Sequence, residues 1–181
     1  MFMFTMSVHR IWETFFRKKG KKGWIVKKWT FPVLSVLHFT VGIGTFAEFF
    51  IIKREINFVI TIIGLIMFII ALLVRNWAIK TLGEYHSIHI EIREDHPLIK
   101  RGPYAYLRHP YYLSVILELL GIPLVANAAY SFIFSFAVYI PFLLLRVYFE
   151  EKTMLDKFNE KYTEYKRETW GVLPLKKIRV K

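Results

Sequence analysis

Residues 31–52 read FPVLSVLHFTVGIGTFAEFFII and, past the polar break Lys53-Arg54-Glu55, residues 57–79 read NFVITIIGLIMFIIALLVRNWAI. The first run has 22 residues. At about 1.5 Å per helical residue that is long enough to cross a hydrocarbon core of about 30 Å. Each run holds a single charge, Glu48 in the first and Arg75 in the second. Two such runs joined by a tight polar turn predict a transmembrane helical hairpin, the second helix reaching an interface near Arg75 and Trp77.

Two further apolar stretches lie downstream. One starts at Tyr111, is interrupted by Pro123 and turns near Asn127, and the other covers residues 130–149 with Pro141 inside it. Proline within a membrane helix marks a kink or a broken backbone lining a cavity. Only 7 of the 40 charged residues fall within 29–79 and 111–149, which is half the chain. That partition excludes a water-soluble globule and an evenly charged disordered chain. The expected fold is therefore an all-α polytopic membrane bundle of four transmembrane helices. The chain reads as a single domain, with residues 1–30 as an N-terminal segment, 31–79 as the first hairpin and 80–175 as a functional core.

Residues 1–30 do not read as a cleaved signal, because Arg10, Glu13 and Arg17 interrupt any apolar centre. Phe4, Val8, Ile11, Trp12 and Phe15 recur at helical spacing before a run of five Arg and Lys. This suits an interfacial helix on an anionic leaflet, and it suits a solvated tail equally well. From Glu150 the chain is charged again, with Met154, Leu155, Phe158, Tyr162 and Tyr165 at helical spacing, which predicts a C-terminal amphipathic helix capping the bundle. Lys and Arg number eight before the first run, two in the first turn, six from Arg75 through Arg108, none at the turn near Asn127 and ten from Arg146 onward. Both termini are thus expected in the cytoplasm. The formal charge of +12 sits beside the apolar runs, where it faces lipid headgroups rather than nucleic acid. With no Cys there is neither a disulfide nor a thiol nucleophile. No feature calls for an obligate protein partner.

Three ionisable residues lie in or at the edges of the last two runs: Glu118, Arg146 and Glu150. At such depth an ionisable group faces a cavity or a partner. Arg146 and Glu150 are four apart and share a helix face, as an ion pair at a helix end or as a functional pair. The loop of residues 80–109 holds nine charged residues and four His, and it leads into residues 102–112, GPYAYLRHPYY. There Arg108 and His109 supply donors, and Tyr104, Tyr106, Tyr111 and Tyr112 supply aromatic faces. Pro110 suits a helix start, whose first-turn N–H groups can hold an anionic group. The same residues would also serve as an interfacial aromatic belt. His86, His89, His96 and His109 match no established zinc spacing, so no metal is expected.

Residues 96–112, HPLIKRGPYAYLRHPYY, are followed by Arg146-Val-Tyr-Phe-Glu150-Glu151 and then by Phe158, Tyr162 and Tyr165. In order and spacing these blocks resemble the isoprenylcysteine carboxyl methyltransferase family over residues 82–175. The resemblance implies S-adenosylmethionine bound between the membrane helices and a cytoplasmic cap, with a lipophilic acceptor entering from the bilayer. By position the implied cofactor residues are His89, His96, Pro97, Leu98, Ile99, Tyr104, His109, Pro110, Tyr111, Tyr112 and Glu150. Arg146 is implied as the catalytic residue on the acceptor side, and Glu118 is a second acceptor-side candidate. Residues 114–124, SVILELLGIPL, are similar to bacterial members that methylate alkylpyrone or alkylresorcinol polyketides, so the acceptor is expected to be prenylcysteine-like or of that kind.

The cofactor's carboxylate needs donors, its ammonium and ribose hydroxyls need acceptors, and its sulfonium suits aromatic faces. Among enzymes, phospholipid N-methyltransferases share cofactor and architecture, and NADPH-dependent sterol-type reductases share a similar RHPxY block. A non-enzymatic alternative is a membrane scaffold or proton pathway using Glu48, Glu118 and Arg146. No Gly-rich phosphate loop follows a strand, so a soluble Rossmann-type methyltransferase is not supported.

Overall fold

The computed structural model describes residues 23–53, 55–92 and 97–174. The expected interfacial segment before residue 23, His96 and the basic tail past residue 174 lie outside the described residues.

The first apolar run forms α1, Thr30–Ile52, which ends where Lys53 takes a left-handed conformation at φ 48°. Asn57 starts α2, Phe58–Leu82, its side chain accepting from the N–H groups of Val59 and Ile60. This is the expected hairpin. At the same end of the bundle Asn127, also at positive φ, accepts from the Asn57 N–H at 3.0 Å and donates to Thr61 Oγ1 at 2.8 Å. The two turns are thereby tied together.

The third apolar stretch is a shorter helix than a full span. It forms α3, Pro110–Val125, of 16 residues, or about 24 Å by helical rise. Three helices are long and apolar enough to cross a membrane: Thr30–Ile52, Phe58–Tyr85 and Ala129–Phe158. Where four spans were expected from the sequence, three helices of the described residues reach spanning length and α3 is a shorter apolar helix. Pro110 fixes where α3 begins, and Asn127 at φ 54° turns the chain back just past its end.

The third long helix is not uniform. Ala129–Phe134 (α4) passes through a π-helical turn, Ser135–Tyr139, into Ile140–Phe158 (α5). The wide turn lies just before Pro141, which cannot donate to the carbonyl four residues earlier and whose ring crowds it. The kink expected there is thus taken up by a π turn. A second difference follows at the C-terminal end. Residues 150–158 continue α5, and the segment expected as a cap is the separate helix α6, Glu160–Glu168, set off by Asn159 at φ 48°. Periodicity alone joined the two, because the break lies in one backbone dihedral.

The main helix pair is α2 with α3, and glycines allow it. A Cβ on Gly64 would meet the Val125 nitrogen at 2.6 Å and the Gly121 carbonyl at 2.7 Å, and one on Gly121 would meet the Gly64 carbonyl at 2.9 Å. Small residues at a crossing are how membrane helices approach closely. Arg75, expected near an interface, is instead only 2% exposed and pairs with Glu118 of α3 at 3.0 Å. At the far end of α1, Glu48 accepts from the N–H groups of Tyr130 and Ser131 at 3.1 and 2.9 Å, capping α4 with a carboxylate. The chain is an integral membrane protein, and the outward faces of α1 and α2 are apolar and exposed, as lipid contact requires.

One feature departs from the all-α expectation. Trp24–Val26 (β1) pairs antiparallel with Ile90–Ile92 (β2), Ile25 opposite Glu91. The Gly23 N–H also donates to the Glu91 carboxylate. Three-residue strands joined across more than sixty residues leave no periodic signal in the sequence.

Candidate active-site cleft

The loop before α3 is shaped by backbone constraints. Gly102 has φ 58°, and a Cβ there would lie 2.6 Å from Thr81 Oγ1, so the turn is seated against the end of α2. Residues 102–105 then form a 3-10 turn, and Leu107 bridges Trp170 in parallel. The Arg108 N–H donates to the Trp170 carbonyl at 2.9 Å, and the Trp170 N–H to that of Tyr106 at 3.0 Å. Residues past the cap therefore hold the Arg108-His109-Pro110 strip in place.

Side chains lock the same junction. Arg108 donates to Glu151 at 2.8 Å and to the Thr169 carbonyl at 2.7 Å. Lys166 of α6 pairs with Glu151 at 2.8 Å, and His109 Nε2 lies 3.2 Å from it. Glu151, one residue past the expected Glu150, is thus the knot joining α5, the start of α3 and the cap. Sequence reading assigned it no role, because its partners, Arg108 and His109 on one side and Lys166 on the other, are distant from it or from each other in the chain.

Between cap and loop opens a cleft with about 1070 Å³ of empty space, its open mouth included. Of the residues named from the sequence, His89, Pro97, Leu98, Ile99, Tyr104, His109, Tyr111, Tyr112 and Glu150 line it. Pro110 is buried directly behind, as the first residue of α3. His86, Met154, Phe158, Tyr162 and Tyr165 join the lining, having been read only as loop or cap residues. The two cap tyrosines repeat every three residues and turn inward, which their spacing alone cannot distinguish from a face packed on lipid.

Arg146 and Glu118 are not among the lining residues. Glu118 is held by Arg75, one helix away. Arg146 is buried behind Tyr112, whose hydroxyl stands between the two members of the expected pair: it accepts from Arg146 Nε at 2.9 Å and donates to Glu150 at 2.5 Å. Glu150 faces the cleft, with His109 Nδ1 3.8 Å from its other oxygen. The His109 ring lies 5.7 Å from that of Tyr112, and the His86 ring 5.3 Å from that of Tyr111.

Burial sets the protonation of the tyrosines outside the helical spans. Tyr104 and Tyr162 are pushed far above the ordinary phenol value, mainly by burial and further by the neighbouring carboxylates Glu150 and Glu151 respectively. Burial pushes Tyr165 up to about 12, and its hydroxyl donates to the Tyr104 carbonyl at 2.6 Å. These groups are neutral donors and aromatic walls rather than bases.

The cleft offers a carboxylate, aromatic faces and the first turn of a helix of ordinary length in one water-accessible space. That set fits S-adenosylmethionine, which has a group for each. The sequence model of the isoprenylcysteine carboxyl methyltransferase (ICMT) family matches residues 62–156. The chain belongs to this family. A relative in Bacillus subtilis, the uncharacterized protein YpbQ, is 31% identical over 128 residues, covering 70% of this chain and 74% of its own. The protein-S-isoprenylcysteine O-methyltransferase of Saccharomyces cerevisiae is 29% identical over 116 residues, 63% of this chain and 48% of the yeast protein. That of Dictyostelium discoideum is 30% identical over 115 residues, with 48% of its length covered. The chain thus spans about half the length of these two eukaryotic relatives. The solved structure of the eukaryotic intramembrane Ras methyltransferase ICMT superposes with a TM-score of 0.66 at 24% identity, covering 80% of this chain and 53% of that one. This places the chain in the ICMT fold.

Proposed function

We propose that this chain is an S-adenosylmethionine-dependent methyltransferase that methylates an oxygen of a lipophilic acceptor at the membrane surface. Its proposed architecture is four apolar segments, with α3 as the shortest and α6 as the cap. The observation that carries the reading is the convergence of Glu150, His109, Tyr111 and Tyr112 on one cleft, in a chain whose family is defined by methyl transfer.

S-adenosylmethionine, when bound, supplies an electrophilic methyl group on a sulfonium. The first-turn N–H groups of α3 and His109 suit its carboxylate. Glu150 suits its ammonium or ribose hydroxyls, and Tyr111 and Tyr112 offer π faces to the positive sulfonium. His89, Tyr104 and the Pro97, Leu98 and Ile99 stretch line the same space, and His96 is a further proposed cofactor contact, carried from the sequence resemblance alone. The cap excludes water through Tyr162 and Tyr165. In-line transfer disperses charge toward the transition state, so the residues raise the rate by alignment rather than proton abstraction.

Arg146 is the proposed catalytic residue on the acceptor side, opposite the cofactor across the Tyr112 hydroxyl. An acceptor carboxylate needs no base, and an enolic or phenolic oxygen is stabilised as its anion by a nearby guanidinium. The acceptor is proposed to be prenylcysteine-like, as the names of the eukaryotic relatives suggest, or alkylpyrone-like. Glu118, paired with Arg75 within the helices, serves the acceptor side only indirectly, by holding α3 against α2.

Calorimetry on detergent-purified protein tests the reading. Micromolar binding of S-adenosylmethionine and its demethylated product is expected, with none of NADPH, and loss of that binding in Glu150→Ala. Tritiated methyl uptake should then select among prenylcysteine, alkylpyrone and phospholipid extracts. Folded protein that binds neither adenosyl compound would end the proposal.

A further inference from the structure

Arg146 is 4% exposed and makes no part of the cleft wall, yet its guanidinium reaches three separate segments. Nε donates to the Tyr112 hydroxyl at 2.9 Å, Nη1 to Thr30 Oγ1 at 2.9 Å and Nη2 to the Ile88 carbonyl at 2.6 Å. A guanidinium only donates, so each hydroxyl it touches must send its own hydrogen elsewhere. Thr30 sends its hydrogen to the Lys27 carbonyl at 2.9 Å, and Tyr112 sends its hydrogen to Glu150 at 2.5 Å. Every proton along the path from Lys27 to Glu150 is thereby assigned.

We infer that Thr30 is a positioning residue for the Glu150 carboxylate, acting through Arg146 and Tyr112. This rests on the methyltransferase reading and adds to it a residue from the first helix. Thr30 lies outside residues 62–156, the part of the chain that matches the family. It is 2% exposed, at the first position of α1. Its oxygen fixes Nη1, and the Ile88 carbonyl fixes Nη2. A planar group held at both ends aims its Nε–H at one point, the Tyr112 oxygen. The Tyr112 hydroxyl is then left with Glu150 as its acceptor, and one carboxylate oxygen is pinned while the other faces the cleft. Without the Thr30 oxygen the guanidinium can swing about its Cδ–Nε bond, and the Tyr112 hydroxyl and Glu150 lose their fixed direction.

The test uses the full chain in detergent, with S-adenosylhomocysteine as the probe, so that no acceptor need be known. Calorimetric affinity is measured for wild type, Thr30→Val, Thr30→Ser, Tyr112→Phe and the Thr30→Val/Tyr112→Phe double variant, alongside each thermal midpoint. Thr30→Val is expected to weaken binding about fivefold or more, Thr30→Ser to stay within about twofold of wild type, and the double variant to be no weaker than Tyr112→Phe alone. Unchanged affinity in Thr30→Val, equal losses in Val and Ser, or additive losses in the double variant would each overturn the inference while leaving the methyltransferase reading intact. If Thr30→Val does not fold, Thr30→Ala is read by the same criteria. A folded wild type that does not bind the probe removes the reading, and the inference with it.

Discussion

Glu150 and Arg146 share a helix face, yet the atom that joins them belongs to α3. The Tyr112 hydroxyl is a small group between two charged ones, and hydrogen bonds to charged groups contribute about 1.5–3 kcal/mol each. Tyr112→Phe is therefore expected to weaken adenosyl-ligand binding or turnover by about tenfold or more, read by calorimetry and methyl uptake. Glu118→Ala acts differently, because it removes the carboxylate paired with Arg75, which is 2% exposed. Breaking a buried pair on one side costs about 3–5 kcal/mol. The thermal midpoint in detergent should fall clearly, and Arg75→Met with Glu118→Met should recover most of it. A third prediction concerns pH. Tyr165 has its phenol raised from 10.0 to about 12 by burial. A raised pKa contributes stability that is complete below about 10 and is lost as pH climbs through about 12. The midpoint should fall across that window, and the fall should be shallower in Tyr165→Phe. Of these residues Glu150, Tyr112 and Arg146 were legible in the sequence, by motif and by depth in an apolar run. The partners Thr30, Ile88 and Arg75 were not, because a hydrogen bond between residues 34 to 116 apart leaves no local pattern.

At the scale of elements, the α2–α3 crossing depends on two missing side chains. Gly64→Ala would place a methyl 2.6 Å from backbone of α3 that cannot swing aside. The helices must separate, at a cost of about 1–3 kcal/mol for overpacking. Gly42 of α1 has nothing within 4 Å of its would-be Cβ. Gly42→Ala should therefore leave the thermal midpoint unchanged or slightly raised, and it serves as the control. The cap depends on Glu151, which Arg108, Lys166 and the His109 ring hold. Glu151→Ala should loosen α6, seen as faster proteolysis near Asn159 and weaker adenosyl-ligand binding. Apolar length revealed the helices, but the close glycines, the Asn159 break and the β1–β2 pairing depend on neighbours distant in sequence.

For the whole molecule, orientation is the open question that charge addresses. The turn at Asn57 and Asn127 lies at one end of the bundle, and the cleft, the cap and most of the Lys and Arg among the described residues lie at the other. With no Cys in the chain, single-cysteine labelling has no background. A cysteine at Ile56 should react with a membrane-impermeant maleimide added outside intact cells, and one at Glu164 only after lysis. The reverse pattern would refute a cytoplasmic cleft. The sequence by itself determined that this chain lives in a membrane and where its first hairpin and the start of α3 lie to within a few residues, and it singled out the block proposed to carry its chemistry. Hydropathy, turn residues and motif spacing are local properties, and burying 22-residue apolar runs has few physical solutions. Only the tertiary structure decided that Arg75 belongs to Glu118, that Tyr112 stands between Arg146 and Glu150, and that Thr30 anchors that chain from the first helix. Each of these is a matter of which groups meet when separate segments pack, and a polar group in a dry bundle takes whichever partner the packing brings within about 3 Å.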